Sequence, residues 1–139
     1  MYRYQIETQV SATPAQLFAA KLNIADWPRW DQGLEATGID VPVQEGAAFW
    51  LRPQGGPTVR MLIETLIAPH CFSDVAVLMG ARLRTRSEFI ANAQGTLVRE
   101  TLECWGPLAW LWNRLLVRKL AAGAADEIRT FAGYVVAQS

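Results

Sequence analysis

The last third of the chain limits the fold more than any other stretch. From Pro107 to Gln138 it reads as one helix. Gly106-Pro107 opens it, and proline is tolerated in a first helical turn because its missing N–H has no partner there anyway. Leu108, Leu111, Trp112, Leu115, Leu116 and Leu120 recur at spacings of three and four, and Ala124, Ile128, Phe131, Ala132 and Val135 continue the stripe. Arg114, Arg118, Lys119, Asp126, Glu127 and Arg129 fall mostly on the other side. An amphipathic helix of roughly 30 residues cannot bury that stripe alone. It needs a partner with an apolar face of similar length. The rest of the chain supplies mainly strands, so the expected solution is a sheet that wraps around the helix.

The strands are read from alternation. Tyr4, Ile6, Thr8 and Val10 share one face of Tyr2–Val10, with Arg3, Gln5, Glu7 and Gln9 on the other. Ser11 or Thr13 then caps a short helix, with Pro14 in its first position and Gln16 placed for a capping box. Asn23–Trp30 reads as a second short helical segment, interrupted at Pro28. Six strands follow: a weak one over Leu34–Val41, then Ala47–Pro53, Val59–Ile67, Cys71–Leu78, Arg82–Ala91 and Thr96–Trp105. Gln54-Gly55-Gly56-Pro57 is the clearest hairpin turn. On Val59–Ile67 the residues Val59, Met61, Ile63, Thr65 and Ile67 are expected to share one face. Short turns imply an antiparallel meander that twists and curls. The fold class is therefore α+β: a curled antiparallel sheet of about seven strands around a long terminal helix, with two short helices after the first strand. At 139 residues this is read as one domain spanning 1–139.

Composition removes several function classes. A formal net charge of +0 gives no electrostatic case for nucleic acid. No apolar run reaches the length of a membrane span, so no stable membrane insertion is expected. MYRYQIETQV has no signal-peptide h-region, and the expected location is the cytoplasm. Cys71 and Cys104 form no CxxC and have no histidine at zinc spacing. They read as buried free thiols, with a disulfide between them as the alternative. With one histidine and no clustered acids, neither a metal nor another cofactor is expected.

The order of elements resembles the helix-grip fold of the START-like superfamily, and within it the polyketide cyclase/dehydrase type. VSATPAQLFAAKLNIADWPRWDQGL is similar to the family's opening strand, its Ala-Pro-type helix start and its Trp-x-x-Trp segment, here Trp27 to Trp30. LIETLIAPHCFS is similar to its strand ending in proline. GTLVRETLECWGPLAWLWNRLLVRKL is similar to its last strand and Gly-Pro-Leu junction. The resemblance covers essentially the whole chain and implies a cavity between sheet and helix for an apolar molecule. It does not select between carriers and enzymes.

Candidate site residues follow from which face of each strand points at the helix. Val98, Glu100, Leu102 and Cys104 share a face, which carries Glu100 inward. A buried carboxylate without a partner is costly, so Glu100 is the first catalytic candidate; an arginine partner is the structural alternative. Thr85 and Ser87 sit between Leu83 and Phe89 on the same inner face and suit orientation of a carbonyl or hydroxyl. Phe49, Met61, Phe89 and Leu102, with Trp112 from the helix, supply apolar wall, and Trp30 forms a gate or a plug at one end. The inward face near Trp50 and Arg52 stays open: Arg52 either binds an anion or is solvated. His70, after Pro69, reads as a rim residue more than a base. Trp110 falls off the helix stripe; if exposed, it marks a partner or dimer surface, and Arg114, Arg118 and Lys119 beside it permit loose contact with an anionic membrane.

Three functions are carried forward. The first is binding of a small hydrophobic or amphipathic molecule: a lipid, a polyketide or an aromatic metabolite. The second is a cyclase/dehydratase-type enzyme using Glu100, helped by Thr85, Ser87 or His70. The third is a filled core with a surface-mediated role, as an interaction partner or homodimer.

Overall fold

The computed structural model describes residues 1–138. The strands are β1 (Tyr2–Val10), β2 (Leu34–Gly38), β3 (Ala48–Pro53), β4 (Val59–Ile67), β5 (Cys71–Leu78), β6 (Ala81–Asn92) and β7 (Gly95–Trp105). Between β1 and β2 lie helix α1 (Pro14–Leu22) and a 3₁₀ helix (Ile24–Arg29). All seven strands form one antiparallel sheet in the order β1-β7-β6-β5-β4-β3-β2. The six later strands are a meander, and the first strand returns to lie beside the last. The terminal helix runs along the concave face against β1 and α1.

Local sequence accounts for the boundaries. Thr13 caps α1: its Oγ1 accepts from the Gln16 N–H at 3.2 Å, and the Gln16 side chain accepts from the Thr13 N–H at 2.9 Å. Pro28 is housed inside the 3₁₀ helix, where Trp27 and Trp30 both turn inward. β2 is shorter than its pattern predicts and stops at Gly38. The Trp50 indole lies directly over that glycine, where a side chain has no room. Gly80 takes φ +68° in the β5–β6 turn, and its carbonyl accepts from the Leu108 N–H at 2.9 Å, which ties the turn to the start of the terminal helix.

Two expectations need correction. First, β4 does not alternate through its length. Ile63 pairs with Asp74 but Thr65 pairs with Ser73, so Glu64 is the extra residue of a β-bulge. Beyond it the faces exchange: Leu66 packs on the core and Ile67 is exposed. Second, the terminal helix is not α-helical throughout. It runs as Ala109–Trp112, a π-helical stretch Asn113–Val117, and then Arg118–Ala137. Inside the π stretch the Asn113 carboxamide oxygen accepts a 2.6 Å hydrogen bond from the Tyr4 hydroxyl on β1. Val117, Ala124, Ile128, Phe131, Ala132 and Val135 are the buried positions that follow.

Candidate functional site

Alternation brings four polar side chains together on the inner face of the sheet. On β7, Val98, Leu102 and Cys104 are buried in the core, so Glu100 between them points the same way. Its cross-strand partner on β6 is Ser87, and two residues along that face stands Thr85. Thr85 in turn pairs with Asp74 on β5. Asp74 shares its face with Phe72, Ala76 and Leu78, all core residues, and is only 5% exposed. Glu100, Ser87, Thr85 and Asp74 thus form a continuous polar patch under an apolar roof. Among the described residues neither Asp74 nor Glu100 has a hydrogen bond or an ion pair. On neighbouring β1, Thr8 is also buried, and its Oγ1 has no hydrogen-bond partner.

The roof comes from α1, the 3₁₀ helix and the terminal helix. Lys21 is set on α1 at i+4 from Leu17 and i+3 from Phe18, the two buried residues of that helix, so it follows them inward. Its ammonium lies over three rings, 5.5 Å from the Trp27 centroid and 5.1 Å from those of Trp30 and Phe131. Trp30 and Phe131 are themselves 4.5 Å apart, and Trp27 meets Phe49 and Phe72 edge-on. The Trp27 Nε1–H donates to the Lys21 carbonyl at 3.1 Å, which fixes the helix against the tryptophan.

Beneath this roof is a niche of about 20 Å³ lined by Lys21, Trp30, Ser87, Phe89, Glu100, Glu127 and Phe131, among others. That is room for a single water. A second, open crevice of about 370 Å³ lies at the rim, between α1, the 3₁₀ helix and the end of the terminal helix. Ala20, Asn23, Asp26, Tyr134 and Val135 help to line it. Trp30 lines both spaces and is the partition between them.

Charge in the niche is unbalanced. Burial pushes the Asp74 carboxyl up to about 7; Lys21 pulls it back, and the charges of Glu100 and Glu64 add to the rise. Burial likewise raises Glu100, opposed by Lys21 and reinforced by Asp31. Glu127 is exposed as a residue, yet its carboxyl is raised by desolvation over the niche and by the Asp31 carboxyl within hydrogen-bond reach. One lysine therefore serves several carboxylates, and raised proton affinity is the result. Among the described residues no group of histidine, cysteine and acidic side chains is arranged to hold a metal.

The residues singled out from sequence divide into two sets. Glu100, Ser87, Phe89 and Trp30 surround the niche. Thr85 belongs to the polar patch beside it. Phe49, Met61 and Leu102 point inward but are core, and line neither space. Trp112 is half-buried, its Nε1–H donating to the Met79 carbonyl at 2.8 Å. Arg52 faces outward: it stacks on Trp50 and pairs with Glu35 at 3.3 Å. His70 is exposed on the β4–β5 turn, and Cys71 and Cys104 are both free thiols. Sequence reading missed Lys21, Asp31, Asp74 and Glu127. Asp74 carried a usable signal, since Phe72, Ala76 and Leu78 alternate around it.

Neither a family model nor a curated protein matches the sequence. Solved structures do match over nearly the full length. Ara h 8.0201 superposes with a TM-score of 0.78 at 13% identity, covering 98% of each chain. The di-domain ARO/CYC StfQ from the steffimycin biosynthetic pathway gives 0.78 at 11% identity, covering 98% of this chain and 51% of that one. A norcoclaurine synthase from Thalictrum flavum, held with a transition-state analogue, gives 0.72 at 12% identity, covering 99% and 94%. At such identities the likeness is one of fold, and it defines the class: this chain has the START-like helix-grip fold.

Proposed function

We propose that the protein binds a small amphipathic molecule, a lipid, polyketide or aromatic metabolite, at the end of the grip closed by Trp30. The apolar body of the ligand occupies the rim crevice, and its polar end reaches Glu100, Ser87 and Lys21. The observation that carries this reading is the polar patch itself. Asp74 and Glu100 have no hydrogen bond or ion pair among the described residues, and Trp30 lines both the niche beside Glu100 and the rim crevice. Buried polar groups without partners are costly and are a mark of sites that bind something. The niche as it stands holds only a water, so binding requires Trp30 to swing aside.

Native mass spectrometry of gently purified protein, followed by organic extraction, tests this directly. A stoichiometric small molecule is the expected result. Trp30→Ala is expected to strengthen uptake of an apolar fluorescent dye by joining crevice and niche. A clean apo mass, with no dye uptake by either protein, overturns the reading in favour of a filled core that works through its surface.

One observation favours a second reading, a cyclase/dehydratase-type enzyme. Glu100 is a half-buried residue whose carboxyl is desolvated and of raised proton affinity within the field of Lys21, the combination a general acid or base needs. Two proteins of similar fold carry reaction names, ARO/CYC StfQ and norcoclaurine synthase. Glu100→Gln separates the readings. It is expected to leave ligand binding within a few-fold and to abolish turnover; unchanged turnover removes Glu100 from the chemistry.

A further inference from the structure

We propose that the first half of the terminal helix is a docking face for an anionic lipid bilayer. No acidic residue occurs between Glu103 and Asp126, while Arg114, Arg118 and Lys119 all fall there, in a chain whose net charge is +0. All three cations are exposed, and among the described residues none makes an ion pair. Between them stand Trp110 and Leu115, each 55% exposed, and Leu120 at 37%. The grouping lies in and around the π stretch Asn113–Val117. Trp110, Arg114 and Arg118 follow one another at spacings of four into and out of this stretch, and Leu115 and Lys119 adjoin them in sequence. The Met79 turn, 79% exposed, is bonded to the start of the same helix through Trp112 and Leu108.

The chemistry selects the occupant. A tryptophan and leucines interleaved with arginine and lysine match a membrane interface, where rings and aliphatic groups enter the headgroup region and cations meet lipid phosphates. Nucleic acid would meet the cations but leave Leu115 and Met79 without reward. A second copy of this chain, docked by the same patch, would set like charges against like. No described helix is long and apolar enough to cross a membrane, so the contact is peripheral. The rim crevice sits at the other end of this helix, near Tyr134 and Gln138, so the docking face stands independently of the ligand reading.

Co-sedimentation with vesicles tests it. The intact chain is expected to pellet with phosphatidylcholine vesicles containing phosphatidylglycerol, to stay in solution with phosphatidylcholine alone, and to be released by high salt. Reversing the three cations (R114E, R118E and K119E together) is expected to weaken binding on the order of a hundredfold or more. Trp110→Ala is expected to weaken it roughly tenfold. Both changes lie on exposed positions; should the triple variant lose its helical circular dichroism, salt release and Trp110→Ala decide alone. No pelleting with anionic vesicles, equal pelleting with both vesicle types, or wild-type binding by the charge-reversed protein overturns the proposal. So does a vesicle-free dimer that Trp110→Ala dissolves, which would assign the face to a second copy.

Discussion

The two faces of the sheet treat their carboxylates in opposite ways. On the outer face Arg84 bridges Glu64 at 2.6 Å and Glu103 at 3.2 Å, stacks over Trp105, and leaves Glu103 within 3.9 Å of Arg3. Arg99 pairs with Glu7 at 3.0 Å. The hydrogen bond from Arg84 holds the Glu64 carboxyl below its ordinary range, although partial burial opposes it. On the inner face β5 carries Asp74 and β7 carries Glu100, which have no arginine, and burial drives both upward. Arginine is available in quantity on β6, but alternation sends Arg82, Arg84 and Arg86 outward while Thr85 and Ser87 go inward. The difference separates charges that hold the sheet together from charges that are kept ready at a cost in stability.

The largest test of this contrast is Asp74→Asn. A carboxyl raised on folding contributes stability that is full below its ordinary value of 3.8 and is lost as pH rises through about 7. At about 1.4 kcal/mol for each tenfold change in proton affinity, the native protein forfeits roughly 2–4 kcal/mol by pH 8. The variant is therefore expected to be more stable than wild type by about that amount at pH 8 and to converge with it near pH 4. Urea unfolding at several pH values reads this. Glu100 and Glu127 carry the same sign, so the slope shrinks without vanishing. A variant less stable at pH 8 would mean that Asp74 is a structural anchor, and the two faces would no longer differ.

Arg84→Ala should act in the opposite direction and more weakly. It removes the bridge to Glu64 and Glu103, whose side chains are 36% and 17% exposed, and leaves Glu103 only Arg3 at 3.9 Å. Discounted for solvent screening, the loss is expected to be about 1–2 kcal/mol at neutral pH. Because Glu64 is lowered on folding, its stabilisation exists above its ordinary value of 4.5 and fades as pH falls through the folded value. The destabilisation should then shrink in acid. A cost that grows in acid would contradict the pairing.

Much of this was legible in the sequence, for a physical reason. The second half of the helix stripe, from Ala124 to Val135, and the alternation of β6 and β7 are local periodicities, so the fold and the inward placement of Thr85, Ser87 and Glu100 follow from them; Leu115 and Leu120, read on the same stripe, are instead exposed, within and after the π stretch. Lys21 was legible in principle as a lone cation on the apolar side of α1, beside Leu17 and Phe18. What escaped depends on contacts between distant segments. The bulge at Glu64 is invisible because Thr65 and Ile67 continue the alternation that the structure abandons. The π stretch is set where Tyr4, more than a hundred residues upstream, bonds Asn113. Nothing near residue 113 announces it. The meeting of Asp31 and Glu127 over the niche likewise needs the 3₁₀ helix and the terminal helix to be placed first.

The smallest prediction sharpens the comparison within the outer face. Glu7→Gln removes the partner of Arg99 in a pair whose side chains are 43% and 34% exposed. Water screens such a pair, and two long side chains lose freedom to hold it, so the expected cost is about 0.5 kcal/mol or less. Arg84 differs because it is shared by two carboxylates and packed on Trp105, so its guanidinium is already ordered when the second bridge forms. Glu7→Gln and Arg84→Ala, measured by the same urea titration, should differ by a factor of two or more. If they cost the same, shared pairing does not explain the outer face. The contrast with Asp74 and Glu100 would then reduce to depth of burial alone, and their lack of partners would lose its value as evidence for a site.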